Sequence, residues 1–358
     1  MKNIRIKDIA MKAKVSAGTV DRVLHDRGNV SEKVKEKILK IIEEMNYEPN
    51  FMARALGNKK TYHFAALIPD PAFDNYWLDP KIGIEKAAKE SRQYGVKVSP
   101  FMFNPYDVNS FNKKAEEVTR VNPDGILVSP IFYREVLPFF EAWKKQEIPF
   151  VLFNTQIAEF DPLSYIGQDS YQSGLVAGKL IHYGQSNPAT ILVAHIDEEI
   201  SNAAHLLKKE QGLRNYFGQN NLSHHYEVIK GEFNRSNYAL FVEQLDTIFE
   251  GNPQIQFCYV TTSKAHEIAK YFEQKFMTHI KIIGYDLIPQ NIHYLNKGVI
   301  SFLINQNPLG QGYWGINQLV DHLVFKKEIA AIKFLPLDIV TKENLNYYID
   351  ESRLYNRV

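Results

Sequence analysis

Apolar residues recur at helical spacing in the first 45 positions of the chain. Runs at 6–13 and 15–24 predict two short helices joined by a tight turn, and Ser16 is well placed to cap the second. A third helix is predicted from Ser31 to about Met45. Three short helices around one small core are typical of a helix-turn-helix, whose second helix can lie in the major groove of DNA.

Beyond Tyr62, apolar runs of strand length alternate with amphipathic helices. Regular alternation predicts parallel sheets covered by helices on both faces, which is an α/β fold class. Because so many strands exceed what one ordinary core needs, two doubly wound α/β lobes are expected. Ligand sites in such folds lie at the carboxyl ends of the strands, so two lobes would share one cleft. The predicted strands are 63–69, 96–103, 125–130, 149–155, 164–169, 190–196, 225–231, 256–262, 280–286 and 298–305.

The composition excludes several classes of protein. With 358 residues, of which 45% are hydrophobic and 23% charged, the chain has too much apolar material for a disordered or collagen-like protein. A single cysteine, Cys258, excludes an internal disulfide and a thiolate zinc cluster, and no metal site is expected. No apolar stretch approaches the ~18–20 residues of a membrane helix, and the N-terminus is charged throughout. We therefore expect a cytoplasmic protein that makes no contact with a membrane.

Charge is distributed unevenly between the two parts of the sequence. Residues 1–60 carry a net charge of +6, and the remaining residues carry −5. A basic end on a mildly acidic body favours a nucleic-acid-binding segment joined to a domain that avoids polyanions.

Residues 6–56 resemble the DNA-binding end of LacI-type transcriptional regulators along the whole run. The resemblance implies a DNA-binding headpiece, whereas the helix pattern alone would also fit a small three-helix bundle that mediates protein contacts. The matching residues are Asp8, Ala10, Val15, Ser16, Thr19, Val20, Arg22, Val23, Val30, Ser31, Asn46, Tyr47, Pro49, Asn50, Ala53 and Leu56.

Position suggests a role for each polar residue of the headpiece. Arg22 lies one and a half turns into the second helix, and its guanidinium can donate two hydrogen bonds to the O6 and N7 atoms of guanine. The hydroxyl and amide side chains suit phosphate oxygens, which set the register without reading the base sequence. These candidate phosphate contacts are Ser16, Thr19, Asn29 and Ser31.

The second helix also departs from the family pattern. Ala17 and Gly18 stand where relatives usually present larger base-reading side chains, so fewer groups reach the bases, and Ala17 is left to touch a thymine methyl. Asp21 replaces a usual serine, and its carboxylate repels phosphate. The Asp21 carboxylate either accepts a hydrogen bond from cytosine, braces Arg22, or pairs with a neighbouring basic side chain of the same helix.

The segment 50–56 connects headpiece and body. Seven residues are too few for a helix that is stable alone, because nucleation is offset only over ~12–15 residues. The resemblance implies a hinge helix that pairs with its twin in the minor groove, with Leu56 inserted into a base step. Asn50 and Ala53 are the other candidate DNA contacts of this segment, and the alternative is an ordinary flexible linker.

The body resembles the periplasmic sugar-binding-protein fold, and the ribose-binding-like branch in particular. The marks of this resemblance are Gly167-Gln168-Asp169 with Gly174, Gly284-Tyr285-Asp286, and Asn305-Gln306-Asn307-Pro308 with Gln311-Gly312-Tyr313. The resemblance implies hydrogen-bonding side chains at strand ends and aromatic faces that stack on a sugar. The candidate effector contacts are Asp286 and Gln306 first, and then Asn75, Tyr76, Trp77, Asn154, Lys209 and Thr262.

Several of these candidates have a second interpretation. Tyr76 and Trp77 also suit the core, and Lys209 lies in a charged stretch where it would be solvated. Asn154 and Thr262 stand where relatives frequently have acidic or amide side chains, so acceptors that usually bracket sugar hydroxyls are missing. A neutral, a modified and an anionic sugar-like ligand all stay open.

A different chemistry is suggested by the glycines at 310, 312 and 315, which form the G-x-G-x-x-G pattern of dinucleotide binding. Pro308 predicts that these glycines lie inside a helix instead of a phosphate-binding loop. The glycine pattern alone still leaves an NAD-linked oxidoreductase as an alternative function. A solute-binding protein without a regulatory role is a second alternative. No other catalytic motif stands out, and we expect neither an enzyme nor a cofactor.

The two resemblances together imply a homodimeric transcription regulator. Its expected partners are double-stranded operator DNA of pseudo-palindromic sequence and a small sugar-like effector held between the lobes. The expected organisation is a headpiece at 1–48, a hinge and linker at 49–60, and a body at 61–358. Within the body, one lobe is expected at 61–164 with 293–325, and the other at 165–292 with 326–350.

Overall fold

A computed structural model describes residues 4–24, 28–45, 47, 60–157, 159–185, 187–197 and 203–349. The chain divides into two compact units, Met1–Gly57 and Asn58–Val358. The hinge helix predicted at 50–56, with its candidate contacts Asn50, Ala53 and Leu56, lies outside the described residues.

The first unit, the headpiece, contains the three helices that the sequence predicts: α1 (Ile6–Ala13), α2 (Ala17–Leu24) and α3 (Glu32–Glu44). The Ser16 hydroxyl accepts a hydrogen bond from the Thr19 backbone N–H at 3.1 Å, so Ser16 caps α2 as expected. An ion pair of 2.8 Å between Lys12 and Glu44 joins α1 to α3. The buried core of the headpiece is Ile9, Ala10, Ala13, Val20, Val23, Ile38 and Ile41.

The second unit, the body, contains two six-stranded sheets. The first sheet has the strand order β11-β5-β4-β3-β1-β2, and every pair in it is parallel. Its strands are β1 (Tyr62–Pro69), β2 (Val96–Phe103), β3 (Gly125–Val128), β4 (Phe150–Phe153), β5 (Ser164–Gly167) and β11 (Ile332–Phe334). The helices of this lobe are α4 (Leu78–Ser91), α5 (Val108–Val121), α6 (Tyr133–Lys145) and α12 (Pro308–Leu319).

The second sheet has the order β12-β10-β9-β8-β6-β7, in which only the short β12 is antiparallel to its neighbour. Its strands are β6 (Ala189–Ile196), β7 (Tyr226–Phe233), β8 (Ile255–Val260), β9 (Lys281–Tyr285), β10 (Ile300–Asn305) and β12 (Asp338–Val340). The helices of this lobe are α7 (Ser170–Gly184), α8 (Ala204–Gln219), α9 (Tyr238–Gly251), α10 (Ala265–Gln274) and α11 (Pro289–Asn296).

The α/β fold class and all ten predicted strands are confirmed, but the assignment of segments to lobes needs correction. Strand β10 pairs in the second sheet although 293–325 was expected in the first lobe, and β5 and β11 pair in the first sheet although 165–292 and 326–350 were expected in the second. The chain crosses between the sheets after β5, after β10 and between β11 and β12. Hydrophobic periodicity identifies a strand but not its hydrogen-bonding partner, and three-residue strands have no period to detect.

Within the described ranges, no helix combines the length and the apolar character that are needed to span a bilayer.

Candidate functional site

Helix α2 buries one face and exposes the other. Val20 and Val23 are buried in the headpiece core, whereas Arg22 and Gly18 are exposed. Of the other predicted contacts, Ser16, Asn29 and Ser31 are exposed, and Ala17, Thr19 and Asp21 are half-buried. The described DNA-contact candidates are therefore all at least partly accessible to a ligand.

Asp21 has a neighbour that the sequence analysis did not name. Burial and the negative charge of Asp21 raise the pKa of Tyr47, which places the Asp21 carboxylate close to the phenol. The Asp21 side chain thus interacts with Tyr47, which lies three residues beyond the end of α3. Sequence spacing gave no sign of this proximity, because the two residues are brought together only by the fold.

The two lobes place equivalent residues at equivalent strand ends. Asn154 follows β4 with φ +67°, and Asp286 follows β9 with φ +68°. Each backbone N–H still donates to the next strand, at 3.2 Å to the carbonyl of Ile166 and at 3.1 Å to that of Ile304. The left-handed backbone at both positions turns the chain out of the sheet at its carboxyl end, where ligand sites of α/β folds form.

Asp286 is the most buried acid of this strand-end cluster, with 1% of its surface exposed. Its Oδ2 atom accepts hydrogen bonds from the Ser263 hydroxyl at 2.7 Å and from Gln306 Nε2 at 2.8 Å. Its Oδ1 atom has no hydrogen-bond partner in the part of the chain that is described. Burial raises the pKa of Asp286 to about 6, although Ser263, the charge of Lys209 and Gln306 each act to lower it.

Two amide side chains, those of Gln168 and Gln306, connect the end of β5 to Asp286. Gln306 donates to Asp286, and its Oε1 atom accepts from Gln168 Nε2 at 2.5 Å. Because a carboxylate only accepts, the direction of both amides follows from Asp286. Gln168 is therefore left with its Oε1 atom, which is buried and unpartnered among the described residues.

Lys209 of α8 is buried, with 2% of its surface exposed, so the solvated interpretation is wrong. Its Nζ atom donates to the backbone carbonyl of Thr261 at 2.7 Å and lies 3.6 Å from the ring centroid of Tyr285. Close packing of α7 on α8 holds it there: a Cβ atom on Gly174 would lie 2.1 Å from the Lys209 carbonyl oxygen. The ammonium group is thus fixed between the end of β8 and the end of β9.

The buried surroundings of Lys209 include a histidine that the sequence analysis did not single out. His195 Nδ1 lies 2.8 Å from the Thr261 hydroxyl, and His195 Nε2 lies 3.1 Å from a Glu210 carboxylate oxygen. Hydrogen bonds from His195 and Arg214 lower the pKa of Glu210 to about 2. This group supports Thr261, whose carbonyl holds the lysine.

The aromatic candidates come from the turn Asn75–Trp77 after β1. The Tyr76 hydroxyl accepts from Asn154 Nδ2 at 2.7 Å, and burial together with the charge of Asp286 raises the pKa of Tyr76 well above its ordinary value. Trp77 packs edge-on against Tyr76, with ring centroids 4.9 Å apart, and against Phe153 at 6.1 Å. Trp77 is thus a core residue that also borders the candidate site, whereas Asn75 is exposed and, among the described residues, its side chain makes no hydrogen bond to this cluster.

Thr262 follows β8 and is buried, and its hydroxyl has no hydrogen-bond partner within the described ranges. The structure therefore assembles seven of the eight effector candidates, from both lobes, at facing strand ends. The seven are Tyr76, Trp77, Asn154, Lys209, Thr262, Asp286 and Gln306.

Sequence analysis missed an ion pair that crosses between the lobes. Lys264 Nζ, before α10, lies 2.5 Å from Asp74 Oδ2, before α4, and the Tyr106 hydroxyl donates to the same oxygen at 3.2 Å. The Asp74 side chain also accepts from the Tyr76 backbone N–H at 3.0 Å, which shapes the aromatic turn. The lobes are closed on one another at this point.

The glycine pattern at 310–315 lies inside α12, as Pro308 predicts. A Cβ atom on Gly312 would lie 2.1 Å from the Pro80 carbonyl oxygen, so this glycine serves the close packing of α12 on α4. It forms no phosphate-binding loop at the end of a strand. Nor do the described residues contain a group of three or more metal-ligating side chains.

Family models match both units of the chain. Residues 5–50 match the model of bacterial regulatory proteins of the lacI family, and residues 65–327 match a periplasmic binding protein domain. The second match covers more than half of the chain.

Individual relatives agree with these matches. The regulator MalR of Streptococcus pneumoniae is 26% identical over 179 residues, which are 49% of this chain and 52% of that protein. The ribose operon repressor of Halalkalibacterium halodurans is 30% identical over 158 residues, or 44% and 45% of the two chains. The chain thus spans about half the length of these curated relatives.

A solved structure from Bacteroides fragilis, described as a LacI transcriptional regulator, superposes with a TM-score of 0.74. The two sequences are 30% identical, and the superposition covers 81% of this chain and 100% of the other. The chain therefore belongs to the LacI family of bacterial regulatory proteins and carries a periplasmic binding protein domain as its body.

Proposed function

We propose that the protein is a transcription regulator that binds operator DNA as a homodimer and responds to a small sugar-like effector between its lobes. A protein that binds operator DNA in a bacterium acts in the cytoplasm, and this localisation is part of the proposal. The headpiece boundaries at 1–48 and the hinge at 49–60 are part of this proposal, as is the absence of enzymatic activity.

The DNA-binding part of the proposal is supported by the exposed face of α2. Arg22 extends from this face and can make the bidentate contact that distinguishes guanine from other bases. The hydroxyls of Ser16 and Thr19 lie 2.9 Å apart at the start of the helix, where phosphate oxygens are favoured by the backbone N–H groups. Two headpieces related by a two-fold axis would read two half-sites in opposite directions.

The observation that carries the effector part is the unpartnered Oδ1 atom of Asp286. A buried carboxylate oxygen without a hydrogen bond is costly, and such groups concentrate where a ligand supplies the missing partner. The Thr262 hydroxyl is unpartnered at the end of the neighbouring strand. Tyr76 and Asn154 approach from the other lobe, so a ligand here would touch both lobes and favour their closure.

Effector and operator must then affect each other reciprocally, because both act on one conformational equilibrium. The relatives' names support the kind of effector, since one of them is a ribose operon repressor. The effector either releases operator DNA or tightens its binding. Which of the two occurs depends on the arrangement of the lobes that the DNA-bound dimer requires.

Two measurements test the proposal. Selection from random duplexes with the full-length protein should return a two-fold symmetric consensus, and failure to enrich any duplex at low salt would refute DNA binding. In a thermal-shift screen of sugars and polyols, a cleft ligand should raise the melting temperature of the wild type. The same ligand should not stabilise Asp286→Ala, and an equal shift in that variant would remove Asp286 from the site.

A further inference from the structure

A cavity of about 500 Å³ lies beside the crossover that follows β10, and its volume is in the range of small-molecule sites. On β10, Leu303 packs in the core beneath α10 and α11, whereas Ile304 packs in the core beneath α7 and α8. Because side chains alternate along a strand, Asn305 faces the α11 side, where the cavity lies. Gln306 faces the opposite side and donates to Asp286. The cavity is therefore separate from the effector cleft, although the two share the crossover as a wall.

Both lobes place a carboxylate on this cavity. Asp338 lies opposite Asn305 in the antiparallel pair of β12 and β10, so their side chains project from the same face of the second sheet. Asp79 belongs to the first turn of α4, in the other lobe. A Cβ atom on Gly83 would lie 2.0 Å from the carbonyl oxygen of Leu309, so close packing holds the start of α4 against the start of α12. The two acids are thus carried by rigid elements on either side of the cavity.

Two tyrosines form the rim of the cavity. Tyr347 is 88% exposed, Tyr348 is exposed as well, and both line the cavity. Their position does not come from a loose segment, because Leu345 is buried in the core below and Asn344 donates to the Ile339 carbonyl at 3.0 Å. The fold therefore holds aromatic faces in solvent at the entrance of an acidic cavity.

The chemistry of the walls favours one kind of ligand. Among the described residues that line the cavity there is no lysine and no arginine, and its titratable groups are the two carboxylates, the two phenols and the exposed imidazole of His293. The other walls are largely apolar and include Leu287, Ile292, Pro308 and Ile349. An anion would meet two negative charges, whereas an ammonium group can bind carboxylates and lie against the face of a tyrosine ring.

We propose that this cavity is a second ligand site, which binds a small organic cation with an apolar body, such as a primary amine or a quaternary ammonium compound. The cationic group is held by Asp79 and Asp338, the aromatic rim covers it, and the body of the ligand contacts the apolar wall. This ligand differs in charge from the sugar-like effector and occupies a different face of the crossover.

The test uses isothermal titration calorimetry on the full-length protein with matched pairs of probes. The pairs are choline with dimethylbutanol, benzylamine with benzyl alcohol, and putrescine with butanediol, in which the neutral member has nearly the same shape as the cation. At least one cation should bind at least about tenfold more tightly than its neutral partner, the difference expected for one hydrogen bond to a charged group.

Variants of the cavity then locate the bound cation. Asp338→Asn should weaken it by about tenfold, because the amide keeps the shape of the side chain and removes its charge. Tyr347→Ala should weaken it by about threefold, as the loss of an exposed cation–π contact predicts. The Tyr347 side chain is almost fully exposed, so its removal leaves the core intact.

Matched controls make the same chemical changes elsewhere. Asp246→Asn changes an acid on α9 that pairs with Lys275 at 2.6 Å, and Tyr183→Ala removes an exposed ring from α7. Neither residue lines the cavity, and both variants should bind the cation as the wild type does. Asp286→Ala should also leave the cation affinity unchanged, because Asp286 belongs to the effector cleft.

Three outcomes would overturn the inference. In the first, no cation binds more tightly than its neutral partner. In the second, the cation is lost in Asp286→Ala and retained in Asp338→Asn, which would place it in the effector cleft. In the third, Tyr347→Ala binds the cation as tightly as the wild type, and this result decides the matter even if Asp338→Asn does not fold.

Discussion

Replacing Lys264 by methionine is expected to open the cleft of the unliganded protein. Lys264 and Asp74 belong to different lobes, and their charged atoms lie 2.5 Å apart. Tyr106 donates to the same carboxylate oxygen and holds it in place from the first lobe. Methionine keeps the approximate length of the side chain while removing the charge. Because the Lys264–Asp74 ion pair joins the two lobes, only the closed state loses this interaction.

The magnitude follows from the burial of the pair. The two side chains are 10% and 13% exposed, which lies between the exposed pairs that contribute ~0–1 kcal/mol and the buried pairs whose disruption costs ~3–5 kcal/mol. Opening lets water solvate Asp74 again, which relieves part of the cost. We therefore expect Lys264→Met to disfavour closure by about 2 kcal/mol, or about 30-fold in the ratio of closed to open molecules.

The assay combines solution scattering with effector titration. Without ligand, the radius of gyration of Lys264→Met should exceed that of the wild type, and with saturating effector the two should agree. The apparent dissociation constant of the effector should rise by up to about 30-fold, because the ligand now has to close the cleft without the ion pair. Added salt should weaken effector binding in the wild type more than in the variant.

Lys297→Met provides the control, because Lys297 pairs with Glu273 at 2.7 Å within the second lobe, with both side chains about half-exposed. It should change neither the radius nor the affinity. The double variant Lys264→Met with Asp74→Asn should show little further loss beyond the single changes, as a shared interaction requires. Equal radii and equal affinities in the wild type and Lys264→Met would refute the reasoning.

Other changes test the remaining parts of the chain. Arg22→Ala should cost ~1–3 kcal/mol at one guanine of each half-site and flatten the base preference there, whereas a uniform loss over all operator variants in a binding assay would identify a phosphate contact. Leu56→Ala should reduce operator bending and DNA affinity while effector affinity stays the same; unchanged DNA affinity would contradict the hinge. Because burial raises the pKa of Asp286 to about 6, protons compete with a ligand that donates to its carboxylate. Effector affinity should therefore fall as the pH drops below 6 and should be flat above it, whereas Asp286→Asn should show no such dependence when titrated at several pH values.

Much of the candidate site follows from sequence because strand ends are easy to locate. A strand pattern places Asp286 and Asn154 directly after buried runs, and parallel sheets bring such ends together at one edge. The family resemblance predicts Asn75 as a contact from its position after the first strand, but the turn that buries Tyr76 and Trp77 leaves Asn75 exposed.

The rest depends on long-range packing. Lys209 is flanked by charged residues and looks solvated in sequence, but α7 packs against α8 closely enough to bury it. Lys264 and Asp74 are 190 residues apart, and their pairing requires the closed arrangement of the two lobes. Local periodicity contains no information about either contact, since both arise from which helices and sheets come to lie side by side.

The segment Thr261–Lys264 joins the proposed ligand contacts to the closure of the lobes. These four residues follow β8 in a row, and each engages a different part of the cleft: the first holds Lys209, the second presents an unpartnered hydroxyl, the third donates to Asp286, and the last pairs with Asp74. A ligand that shifts Asp286 by a few tenths of an ångström would also shift the Ser263 hydroxyl that donates to it. Lys264, the next residue, pairs with Asp74 of the other lobe and would move with it. Because close-packed interiors respond to such displacements by changing between discrete arrangements, the proposed binding at Asp286 and closure at Asp74 would be two aspects of one equilibrium.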